Sequence, residues 1–125
     1  MENDIVTSAR VLLLSSGKLT ASELVWAFRL LAPISPDVYR PKLTRALLKL
    51  ARQTAHLPEA RLALLAEAVA SAEAMDPADP IRRTPLLAAL DAYQHHLDAL
   101  GRPAEAHAAR ARMTAVDPTV VPTTG

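Results

Sequence analysis

One pattern of apolar residues occurs twice in this chain, and it constrains the fold more than any other feature. The pattern Leu43, Ala46, Leu47, Leu50, Thr54 and Leu57 recurs 43 residues later as Leu86, Ala89, Leu90, Tyr93, Leu97 and Leu100. Steps of three and four residues place these side chains on one face of a helix. A helix with one apolar face cannot bury that face alone, so the repeated units must pack side by side.

Proline and glycine residues divide the chain into six segments with helical periodicity. Pro58, Pro80 and Pro103 suit the first position of a helix, and Gly17 and Gly101 suit the position just past a helix end. The segments defined in this way run over about residues 4–15, 20–32, 37–56, 58–75, 80–100 and 103–116.

The composition favours closely packed helices. Half of the residues are apolar but only 3% are aromatic, so leucine, alanine and valine must form the core. Leucine and alanine are strong helix formers, and small side chains let helix axes approach each other. We therefore predict an all-α fold with a single domain over residues 1–118. Its hairpins lie at about 4–32, 37–75 and 80–116, and residues 119–125 form a flexible tail.

The third hairpin carries several positions of a known helical repeat. Gly101 lies in the turn, Ala106 lies at a small packing position of the second helix, and Asp117 and Pro118 end the hairpin. In these residues the sequence resembles the tetratricopeptide repeat (TPR) family. The resemblance implies a short right-handed solenoid, in which three antiparallel helix hairpins, six helices in all, stack on each other.

The resemblance varies along the chain. Residues 39–43 and 67–69 look like the degenerate TPR arrays of high-GC bacteria, whereas residues 4–35 match only through Gly17 and the helix from Ala21. That first part is either a divergent repeat or a helical cap.

Two residues depart from the family's pattern in the best-matching repeat. Arg110 stands where the second helix usually has an aromatic residue, and Gln94 stands where the first helix usually has a small one. These departures bear on the pitch of the expected superhelix more than on the pairing of its helices.

A row of basic residues lies opposite the leucine face of the third segment. Arg45, Lys49, Arg52 and His56 follow steps of four, three and four residues. TPR geometry implies that first helices line a concave groove, where such a row would suit an acidic peptide or a C-terminal carboxylate. The alternative is an ordinary solvated helix face. The asparagine-containing carboxylate clamp of the family is not expected, because the chain's single asparagine is Asn3.

The fifth segment places Asp91, His95 and Asp98 at steps of four and three residues. Three uses of this spacing remain open. The side chains could bind a divalent metal, although no fourth ligand is evident. They could face the basic row across the groove, or form weak exposed pairs along their own helix.

The N-terminal third is more apolar than the outer face of a terminal repeat should be. Trp26 and Leu30 point away from the main stripe of their helix, and Val11 and Leu14 add apolar surface to the first segment. Either the third helix covers Trp26, or these residues form an interface for a homodimer or for a partner protein, in which tryptophan is a favoured anchor.

The sequence contains no motif of a known catalytic or cofactor site. The sequence lacks cysteine, a glycine-rich phosphate loop, the zinc-protease motif and the nucleophile-elbow motif. It also contains no segment that is long and apolar enough to span a membrane. We interpret the chain as a cytoplasmic, non-enzymatic protein-interaction module, such as an adaptor or accessory subunit, without a cofactor. The alternative is a small DNA-binding regulator that uses the basic helix over residues 40–52. A net charge of only +1 disfavours this alternative.

Overall fold

A computed structural model describes residues 2–14 and 17–120. Over these ranges the chain forms six α-helices and no β-strand. In chain order the helices are α1 (Glu2–Leu14), α2 (Ala21–Leu31), α3 (Pro36–Gln53), α4 (Pro58–Glu73), α5 (Arg83–Ala99) and α6 (Pro103–Val116). Within the same ranges, no helix combines the length and hydropathy that a bilayer crossing would require.

The helix ends follow local sequence signals. Thr20 and Glu23 form a capping box at the start of α2, in which each side chain bonds the other residue's backbone N–H. Proline occupies the first position of α3, α4 and α6, where its missing N–H costs nothing. At the end of α5, Gly101 has φ +71°, and the N–H groups of Gly101 and Arg102 return to Asp98 and Leu97. This pattern is a Schellman motif.

The start of α5 differs from the sequence prediction. Pro80 begins a 3-10 turn, Pro80–Arg82, and the α-helix begins only at Arg83. The side chain of Asp79 accepts a hydrogen bond from the N–H of Ile81 and so caps the 3-10 turn. Proline suits the first position of either helix type, because its fixed φ fits both and neither type needs a backbone N–H donor at that position.

Each helix packs against the next one along the chain, and α3 also contacts α5. One core cluster runs from α2 to α6, and the first four members of each repeated apolar pattern lie in it or pack against it. Leu47 and its repeat equivalent Leu90 are both fully buried there. Leu57, the last member of the first pattern, is 51% exposed because it caps α4 after α3 has ended.

Ion pairs join α2 to α4 and α4 to α6, which are not consecutive along the chain. Arg29 of α2 donates to Glu67 of α4 at 2.8 Å, and Glu73 of α4 pairs with Arg112 of α6. Hydrogen bonding to Glu67 raises the pKa of Arg29 above its ordinary value, against the opposing effect of partial burial. Apolar packing thus joins α3 to α5, whereas charged side chains link α2, α4 and α6.

Candidate functional site

One face of α3 carries exposed side chains spaced alternately by four and three residues. This α3 row consists of Val38, Lys42, Arg45, Lys49 and Arg52, and the exposed His56 continues it in the turn that follows the helix. The sequence prediction included the row from Arg45 onward. It missed Lys42 and Val38, although the same spacing continued backward would have found both.

The cations of the α3 row have no ion-pair partner within the described ranges. Each carboxylate pair in that part of the chain involves another residue, namely Arg29, Arg83, His95, Arg102, Arg110 or Arg112. Lys42 Nζ lies 5.7 Å from the ring centre of Tyr39, a cation–π contact that leaves its charge in place. The row is therefore a local concentration of positive charge that attracts anions.

Two clefts flank the row, one on each side. The Pro41 cleft, of about 410 Å³, lies between α3 and the start of α5 and is lined mainly by Pro41, Leu48, Ile81, Pro85 and Ala88. The Phe28 cleft, of about 270 Å³, lies between α2 and α3 and is lined by Leu24, Phe28 and Ala46 with cations at its edge. Arg45 lines both clefts. Sequence analysis missed them because they depend on how neighbouring helices are rotated.

The acidic residues of α5 are engaged within their own hairpin. Asp98 accepts from Arg110 of α6 at 2.9 Å, and Asp91 accepts from Gln94 at 3.2 Å and lies 3.4 Å from His95 Nε2. Neither carboxylate lies within ion-pair distance of the α3 row. In the part of the chain that the structure describes, no three histidine and acidic side chains converge as metal ligands would.

Gln94 and Arg110, the two departures from the TPR pattern, contact each other. Gln94 is fully buried, and its Oε1 accepts from Arg110 Nη1 at 2.8 Å. The same nitrogen donates to Asp98, so one guanidinium of α6 binds two side chains of α5. The two departures therefore occur at the two ends of one contact: Gln94 stands where TPR repeats have a small residue, and Arg110 stands where they have an aromatic one.

Two more polar contacts fix the ends of helices. The buried His96 of α5 places Nε2 2.8 Å from the carbonyl oxygen of Pro58, at the start of α4. Asp117, from the Asp-Pro pair after α6, is buried, pairs with Arg83 and accepts from the N–H of Thr119 at 2.9 Å. The rest of the tail, residues 121–125, lies outside the described residues.

The N-terminal apolar surface, comprising Val11, Leu14, Trp26 and Leu30, is mostly exposed. Trp26 is 43% exposed, Val11 59% and Leu14 84%, whereas Leu30 is half-buried against the contact between α1 and α2. Thus α3 does not fully cover Trp26. The interface hypothesis for this surface, as homodimer or docking site, stays a prediction.

No family model matches the chain, and neither the curated proteins nor the solved structures give a significant match. The resemblance to TPR proteins therefore stays a prediction from the sequence positions described above.

Replacing Trp26 with aspartate should leave the helix content unchanged and alter the free energy of unfolding by about 1 kcal/mol or less, because the side chain is only half-buried. Far-UV circular dichroism and urea denaturation check this. If the variant instead unfolds, Trp26 belongs to the core and the interface hypothesis is wrong.

Light scattering of the wild type over a range of concentrations tests the homodimer version of the interface hypothesis. A protein that stays monomeric at every concentration contradicts that version.

Proposed function

We propose that this chain is a protein-interaction module that binds an acidic segment of a partner protein along the α3 row. The observation that carries the proposal is the row itself, a set of cations that lie between two apolar clefts and have no ion-pair partner among the described residues. Carboxylates of a partner would form charge-assisted hydrogen bonds with the row, and apolar side chains beside them would enter the clefts.

We further propose a TPR-like arrangement of the helices as the scaffold for this surface. Three observations support it: consecutive helices pack together, α3 contacts α5, and ion pairs link α2, α4 and α6. In such a stack, α3 would be the first helix of the middle hairpin, so that its outer face is flanked on both sides. The two clefts reach Arg45 from opposite sides of the α3 row, one beside α5 and the other beside α2.

The DNA-binding alternative fits the site less well. The basic helix over residues 40–52 offers the same cations to phosphates, but apolar clefts add little to phosphate binding, which is largely electrostatic. Duplex DNA is therefore a necessary competitor in any test of the surface.

The distribution of lysines allows a direct test with the native partner. The chain has three lysines, of which Lys42 and Lys49 belong to the α3 row and Lys18 lies exposed in the loop before α2. Carbodiimide couples a lysine amine to a carboxylate only when the two are in contact. We expect cross-links from a captured partner to attach at Lys42 and Lys49, and mass spectrometry of the linked peptides identifies the sites.

A pair of charge-reversal variants provides the control. Arg45→Glu with Lys49→Glu removes the amine at position 49 and should also abolish the cross-link at Lys42, which is the informative site. Arg10→Glu with Lys18→Glu changes the net charge equally and should preserve the cross-links at Lys42 and Lys49. Cross-links that form mainly at Lys18, or that persist in the α3 variant, would contradict the proposal. Loss of the partner on addition of duplex DNA, together with salt-dependent DNA binding, would favour the regulator instead.

A further inference from the structure

The α3 row has the geometry of a surface that contacts another helix. Its members advance by four, three, four and three residues from Val38 to Arg52, an average of 3.5. A row of this kind drifts by only about 20° per heptad, so it runs nearly parallel to the axis of α3. From Val38 to Arg52 it covers about 21 Å, or about four helical turns.

The residue types in the row specify what would lie opposite. In coiled coils the corresponding positions are apolar, because they meet apolar positions of a partner helix. Here Val38 alone is apolar, and the other four members are cations without a carboxylate partner in the described ranges. A matching helix would therefore place carboxylates along its central row, with an apolar residue at the end that meets Val38.

The clefts specify the flanks of the matching helix. When two helices pack, the side chains beside the central row enter the grooves on either side of the opposing row. The Pro41 cleft and the Phe28 cleft lie in these two positions, and both are lined largely by carbon atoms of proline, leucine, alanine and phenylalanine side chains. Leucine-sized side chains on both flanks would fill them.

An extended peptide does not match this spacing. Side chains on one face of an extended strand recur about every 6.6–6.8 Å. The four cations of the row recur on average about every 5.0 Å along the axis of α3. The mismatch adds up to about 5 Å over the three intervals, more than a salt bridge tolerates. A helix, which has the same rise per turn as α3, stays in register.

A second copy of this chain is a poor occupant. Ion pairs engage Glu67, Glu73, Asp98, Glu105 and Asp117. No helix of the described ranges carries two acidic residues three or four positions apart, so none offers a row of carboxylates that matches the α3 row. A helix that offers a free row of carboxylates must therefore come from another protein.

We infer that the partner segment is an amphipathic acidic helix. Its carboxylates follow the same alternating steps of four and three residues as the α3 row, and apolar side chains flank them on both sides. The inference rests on the proposed function and adds the conformation and the residue pattern of the ligand.

A displayed peptide library tests the inference. One half of the library fixes glutamate at heptad positions a and d and varies apolar residues at e and g, on an alanine and glutamine background. The other half has the same composition in scrambled order. We expect binders to come from the patterned half. Introducing proline at the centre of a selected peptide should weaken binding about tenfold or more, because it breaks the helix. Fluorescence anisotropy of the synthetic peptides measures the affinities.

The two charge-reversal variants separate the outcomes. Arg45→Glu with Lys49→Glu should weaken a selected peptide about thirtyfold, and Arg10→Glu with Lys18→Glu should change its affinity less than about threefold. Acidic binders that tolerate proline or come equally from the scrambled half would overturn the helical ligand while leaving the proposed function standing. If neither half yields binders sensitive to the α3 variant, the inference fails. The cross-links at Lys42 and Lys49 then decide separately whether the proposed function survives.

Discussion

Replacing Arg110 with leucine should lower the free energy of unfolding by about 2–3 kcal/mol, because its guanidinium joins two side chains of α5. Gln94 Oε1 would lose its bond from Arg110 in a fully buried position, and Asp98 would lose its cation where it is 23% exposed. Leucine fills part of the space of the arginine stem but offers no donor. Urea denaturation followed by circular dichroism measures the change.

A double-mutant cycle tests whether the two departures from the TPR pattern compensate each other. Arg110→Phe alone should destabilise the protein, since it leaves Gln94 without this donor and adds a large side chain beside it. Gln94→Ala together with Arg110→Phe restores the family's small and aromatic pair, and we expect it to recover about half or more of that loss. If the two effects simply add, the contact between these residues carries no energetic coupling.

The exposed pair of Arg102 and Glu105 supplies the matched control. Both side chains are more than 40% exposed, and Arg102, directly before α6, pairs with Glu105 in the first turn of that helix. Arg102→Leu removes the same charge as Arg110→Leu but buries nothing, so the free energy of unfolding should change by about 0.5 kcal/mol or less. An equal loss in both variants would show that net charge, rather than the buried network, determines the effect.

The helices could be predicted from sequence because their signals are local. Pro58 and Pro103 start helices where the pattern indicated, and Gly101 adopts the positive φ that its place after α5 implies. The start of α5 was predicted three residues too early, since proline at position 80 fits a 3-10 turn equally well. The periodicity also separated the buried face of α3 from its exposed cations, because both faces lie on one regular helix.

The long-range polar contacts could not be predicted in the same way. Gln94 meets Arg110, His96 meets the carbonyl of Pro58, and Arg29 meets Glu67 across loops and between hairpins. These pairs depend on the rotation of each helix about its axis. A single sequence does not specify that rotation closely enough to identify which side chains meet. Two simultaneous departures from the TPR pattern were the one available signal for the contact between Gln94 and Arg110, but the sequence analysis related them to the pitch of the superhelix and did not predict the contact.

The clefts beside the α3 row depend on the same rotations. Pro41, Ile81 and Pro85 lie far apart in the sequence, and the pattern of α3 alone cannot show that they line one surface. The sequence therefore predicted the charge of the candidate site but not its apolar borders.

Replacing Leu90 with alanine should lower the free energy of unfolding by about 3 kcal/mol, through lost apolar burial and a cavity in a site with no exposed surface. Leu47→Ala should have a similar effect, because Leu47 holds the equivalent position in the first copy of the pattern and is equally buried. Leu57→Ala is the control. Its side chain is half-exposed, so a loss of about 1 kcal/mol or less is expected. Urea denaturation of the three variants checks the order.

The same variant tests whether the hairpins unfold together. One core cluster connects Val25 and Phe28 of α2 with Leu90 of α5 and Met113 of α6. If this cluster unfolds as a unit, Leu90→Ala should shift two signals to lower urea by the same amount: the fluorescence of the single tryptophan, Trp26, and the far-UV circular dichroism. Because Trp26 lies on α2, its fluorescence reports a helix that Leu90 does not belong to. An unchanged fluorescence midpoint beside a shifted dichroism midpoint would mean that the first helices fold independently. In that case the Phe28 cleft, which needs α2 against α3, would no longer be part of a single binding surface.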